Sequence, residues 1–88
     1  MTPSGSAWVA TIRVEHPDPS VVQWLNRSLA PEAAREVPRA RAELRPATGG
    51  ALEVAIEAQD SGAVRAALNT YLGWIHLSLA TLDAALHR

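Results

Sequence analysis

From Val64 to Leu86 an apolar residue recurs at every third or fourth position: Val64, Leu68, Leu72, Ile75, Leu79, Leu82 and Leu86. That spacing lines one side of an α-helix. Asp60 stands ahead of the stripe as an N-cap, so the predicted helix runs from there to about Leu86. At ~1.5 Å per residue it spans roughly 40 Å. The chain has 88 residues, enough for one domain at most. A helix this long outruns the sheet that so short a chain can build, so part of its apolar surface needs another cover.

The rest of the chain supplies that sheet. Residues Trp8–Glu15 alternate, with Trp8, Ala10, Ile12 and Val14 on one face and Val9, Thr11, Arg13 and Glu15 on the other. This is a half-buried strand. Asp18 then caps a helix that begins at Pro19, where a missing N–H is tolerated. Its stripe is Val21, Leu25 and Leu29, with Val22 beside it, and Trp24 and Ser28 lie on the flank. The helix is expected to end near Ala30, with Pro31–Pro38 as exit and loop.

Residues Arg39–Arg45 alternate again, and so do Ala51–Ala58, on either side of a Pro-Ala-Thr-Gly-Gly turn signal. Arg45 opposite Glu53 and Arg41 opposite Glu57 keep both apolar faces on one side and opposite charges together. That register leaves Thr48-Gly49-Gly50 as a three-residue loop with a glycine free to take positive φ. The expected fold is therefore α+β, in the order β-α-β-β-α. A three-stranded antiparallel sheet is covered on one face by two helices. Residues 1–7 are expected to be a disordered lead-in, and residues 8–88 a single domain.

A domain this small is supported by disulfides, metals or association. There is no cysteine, which removes disulfides and thiolate metal sites and fits a reducing, cytoplasmic setting. Association remains, and an open sheet edge invites it. The net charge of -1 leaves no basic footprint for general nucleic-acid binding. No apolar run approaches the ~20 residues of a membrane span, and the N-terminus has no signal-peptide pattern.

Catalytic patterns are missing. No serine motif accompanies His16, His76 or His87, and the last two are too far apart on one helix to share a metal. Glu43, Glu53 and Glu57 alternate with arginines on a polar sheet face, a solvated charge ladder. No cofactor is expected. The element order is similar to that of small RNA-binding modules, but their Gly-x-x-Gly clamp and exposed sheet aromatics are missing. Arg39, Arg41 and Arg45 remain as possible RNA contacts.

On the last helix the apolar arc is too wide for one contact. Tyr71, Ser78, Ala67, Ala85, Trp74 and Thr81 continue from the edge of the stripe, reaching Leu77. One reading is that Trp74 packs on Trp24 and nothing more. The other is a partner groove between the two helices, lined by small residues and anchored by aromatics.

The segment from Ile56 to Ala85 resembles the final strand and helix of the small dimeric subunit of the KEOPS complex, the Pcc family. The family's acidic or Ala-Asp turn, Leu-Arg-Ala, Asn-Ser-Tyr and Trp or apolar residue have counterparts in Asp60, Arg65-Ala66, Asn69-Thr70-Tyr71 and Trp74-Ile75. Upstream, Ser28–Ala34 is similar to the family's Ser-Leu-x-Pro-Glu. Archaeal members often carry Arg just before the Trp; here that residue is Gly73, so a salt bridge or RNA contact through that Arg is not carried over. The resemblance implies a non-catalytic subunit that forms homodimers in archaea. Its helices would dock the catalytic ATPase-like subunit, which makes threonylcarbamoyladenosine at position 37 of tRNA. The tRNA would be engaged through the complex. The residues this assigns to the partner groove are Trp24, Ser28, Tyr71, Trp74, Leu77, Ser78 and Thr81. The alternative is a small independent RNA-binding domain; a ligand-binding regulatory domain fits less well, since such folds usually close with another strand.

Overall fold

A computed structural model describes residues 8–33 and 39–86. The expected disordered lead-in and His87 lie outside these residues. The elements are β1 (Trp8–Val14), α1 (Pro19–Ala33), β2 (Ala40–Pro46), β3 (Leu52–Ala58) and α2 (Ser61–Leu86), with a 3-10 turn at Thr48–Gly50. The fold is α+β, with three antiparallel strands in one open sheet in the order β1-β3-β2. The central strand is thus the last in sequence, and β1 and β2 are both edges.

The hairpin takes the register that its charges select: Arg45 faces Glu53 and Arg41 faces Glu57. The turn closes as Ala47 N–H donates to the Ala51 carbonyl at 2.9 Å. Gly49 and Gly50 sit at φ +71° and +77°, a region other residues enter only at a cost. β1 pairs along its whole length with β3, from Trp8 opposite Ala58 to Val14 opposite Leu52.

Both helix starts follow from their caps. The Asp18 carboxylate accepts from the Ser20 N–H at 2.9 Å and the Ser20 hydroxyl at 2.8 Å. The Asp60 carboxylate accepts from the Ala63 N–H at 2.8 Å, and its carbonyl from the Val64 N–H at 3.1 Å. These satisfy donors that the first helical turn leaves free. α1 runs past the expected end at Ala30 and carries Pro31 within its last turn. The proline forgoes only the bond its N–H would make to Arg27, and Glu32 and Ala33 continue the turn half-buried.

The core lies between the sheet and the helices. Leu52, Val54, Ile56 and Ala58 of β3 are all buried, facing Val22, Leu25 and Leu29 of α1 and Tyr71 and Ile75 of α2. α1 covers β2, while α2 crosses β3 and β1. The inner residues of β1 are less protected: Ala10, Ile12 and Val14 are half-buried and Trp8 is 47% exposed.

α2 is turned relative to the stripe read from its spacing. Leu72, expected within that stripe, is 49% exposed, whereas Tyr71, expected at its edge, is 7% exposed. The helical period sets the angles between residues but not which of them faces inward. Here α1 decides that, because its own side chains fill one flank of the layer.

Candidate protein-docking site

The residues expected to form a partner groove all lie on α1 and α2. Trp24 and Trp74 are half-buried against the core. The aromatic contact of the site lies within α2: the Tyr71 and Trp74 rings meet edge to face, with centroids 5.2 Å apart and planes at 81°. This is a favoured ring geometry, and it follows from their i, i+3 spacing. Tyr71 is therefore a buried support that fixes Trp74 rather than an exposed contact. Burial pushes the Tyr71 phenol pKa up, and the nearby Glu32 carboxylate adds to the rise.

At about 100° per residue, Trp74, Leu77, Ser78 and Thr81 fall within an arc of roughly 100° on α2. Leu77 is 63% exposed, Thr81 is exposed and Ser78 is half-buried. The Thr81 hydroxyl donates to the Leu77 carbonyl at 2.9 Å, and the Ser28 hydroxyl to the Trp24 carbonyl at 3.0 Å. Both hydroxyl protons are thus spent within their own helices. What these residues offer a neighbour is small volume and an acceptor lone pair. The surface suits apolar contact better than polar readout.

The arginines stand elsewhere. Arg41 and Arg45 point from the sheet's outer face, and Arg39 precedes β2 at φ +71°. Each meets a carboxylate: Arg39 with Asp60, Arg41 with Glu57 at 3.6 Å, and Arg45 with Glu43 at 3.7 Å. Arg41, Glu43, Arg45, Ala55 and Glu57 ring a shallow open depression of about 270 Å³. Its charges cancel locally, which makes it a weak attractor for a phosphate backbone.

Among the described residues no group of three metal-ligating side chains converges. No helix of the described residues is long and apolar enough to cross a membrane. The His16 Nδ1 accepts from the Asp18 N–H at 3.0 Å, a local turn contact, and His76 is exposed.

The exposed apolar residues Trp8, Val9 and Leu72 were not candidates on sequence grounds. Trp8 and Leu72 each sit in an apolar pattern, and pattern alone cannot tell a covered strand or flank from an open one.

The comparison with curated proteins returns no match. A family model described as transcription factor Pcc1 matches residues 9–83, which takes in every element of the fold except the first residue of β1 and the last turn of α2. The chain belongs to the Pcc1 family, a family of non-catalytic accessory subunits of the KEOPS complex.

Proposed function

We propose that this chain is a dimeric assembly subunit of the KEOPS complex, one that docks the catalytic ATPase-like subunit for threonylcarbamoyladenosine synthesis at position 37 of tRNA. Membership of the family supports the complex. The α1–α2 surface supports the docking role. The observation that carries it is Trp74, braced by Tyr71 yet left half-exposed beside an uncovered Leu77. An aromatic held rigid at the border of a core loses little entropy on binding and suits a central anchor. Arg39, Arg41 and Arg45 already have carboxylate partners, so tRNA is engaged through the complex, in the cytoplasm, with these arginines at most secondary.

The test is the affinity of Trp74→Ala and Leu77→Arg for the catalytic subunit by calorimetry. Loss of an anchor costs ~2 kcal/mol or more, about 30-fold in Kd. Leu77 lies outside the core, so its variant keeps the fold even if Trp74→Ala loosens it. Unchanged affinity in both folded variants would sink the docking role. Tight, salt-steep tRNA binding by the isolated chain would instead favour an independent RNA-binding domain.

A further inference from the structure

The sheet face turned away from α1 and α2 carries three rows of side chains. Val9, Glu57 and Arg41 share one row, Thr11, Ala55 and Glu43 the next, and Arg13, Glu53 and Arg45 the third. Ala55 therefore stands at the middle of the face. Its methyl is the floor of the hollow of about 270 Å³ that Arg41, Glu43, Arg45 and Glu57 ring. Two cations and two anions thus surround one small apolar floor.

These four charges satisfy one another poorly. Arg41 stands 3.6 Å from the Glu57 Oε1 and Arg45 3.7 Å from the Glu43 Oε1, both beyond hydrogen-bond distance. The Glu57 Oε2 is shielded from solvent, yet no donor among the described residues reaches it. A shielded carboxylate oxygen without a donor is costly, and native structures rarely leave one so. The last torsion of a glutamate is soft, so a turn of the carboxylate presents either oxygen to the hollow. Arg41, with its side chain 78% exposed, is free to swing across and offer its fork of donors.

The charges restrict what can sit there. An anion alone meets Glu43 and Glu57, and a cation alone meets Arg41 and Arg45. A phosphate backbone or a run of like-charged side chains is penalised in the same way. A small molecule with both charges close together avoids each penalty. Its carboxylate suits the Arg41 guanidinium in two parallel hydrogen bonds. Its ammonium has three donors, enough for Glu57 and Glu43 together. Ala55 leaves room beside them for a small apolar group, and the hollow lies at the small end of the ligand-site range of roughly 300–1,000 Å³.

We propose that the hollow over Ala55 binds a free α-amino acid with a small apolar side chain, its carboxylate on Arg41 and its ammonium between Glu43 and Glu57. The face lies opposite the helices, so the site is independent of the docking role above.

Because the site is open to solvent, its charges are screened and its Kd should be millimolar. L-valine titrated into the isotope-labelled chain should give saturable shifts at the backbone amides of Arg41, Glu43, Ala55 and Glu57 in nuclear magnetic resonance spectra. Acetate and methylammonium, each alone, should bind at least about tenfold more weakly. Glu57→Gln keeps the shape but not the charge and should raise the Kd for L-valine about tenfold. Ala55→Leu fills the floor from the outer face, away from the core, and should abolish the shifts with circular dichroism unchanged. No saturable shift with L-valine, acetate alone matching L-valine, or a folded Ala55→Leu that binds as wild type each overturns the site. Should Ala55→Leu fail to fold, unchanged affinity in Glu57→Gln overturns it instead.

Discussion

Gly73 sits in α2 with nothing within 4 Å of where a Cβ would stand, and its backbone is helical. Among the described residues no close approach calls for a glycine there. Gly73→Ala should therefore stabilise the fold by about 0.5–1 kcal/mol through helix propensity. The expected rise in thermal midpoint is about 2–8 °C, read by circular dichroism. Asp18 carries a different signature. Its bonds from the Ser20 hydroxyl and Ser20 N–H, with the charge of His16, hold its carboxyl below the usual 3.8 against a small opposing effect of desolvation. A folded pKa below the unfolded one gives stability that is full above 3.8 and is lost as pH falls through the folded value. Asp18→Asn keeps an acceptor for the cap but lacks the charge. Urea titrations should show it less stable than wild type near neutral pH, with the gap closing in strong acid.

At the scale of the element, α2 begins where Asp60 does two things at once. It accepts from the Ala63 N–H, and it pairs with Arg39 at the start of β2. Asp60→Ala removes both and should cost about 1 kcal/mol, the usual worth of an N-cap. Asp60→Asn retains the cap, and recovery of most of the urea midpoint would show that capping outweighs the partly exposed ion pair. These caps were legible in the sequence because they act between residues two or three apart. The hairpin register was legible for a related reason: alternating charges leave few arrangements without a clash, and the Thr48-Gly49-Gly50 loop admits positive φ where it is needed. The end of α1 was less so, since Pro31 reads as a stop but costs a helix little in its final turn.

The whole molecule stands on a thin core. Leu25 is fully buried, between α1 and the sheet. Leu25→Ala should cost about 2–5 kcal/mol, much of the ~5–15 kcal/mol that a folded domain commands. Urea denaturation should show a large fall in midpoint. By itself the sequence determined the element order, the caps, the turn and the inner face of each strand, because these follow from periodicity and from contacts between near neighbours. The tertiary structure decided which strand is central, which edges stay open and which side of α2 faces inward. Those depend on α1 and α2 competing for one sheet face, a contest between residues far apart in the chain. It moved Tyr71 into the core as a brace for Trp74 and left Leu72 and Trp8 uncovered, parts that the spacing of residues along one helix or strand does not assign.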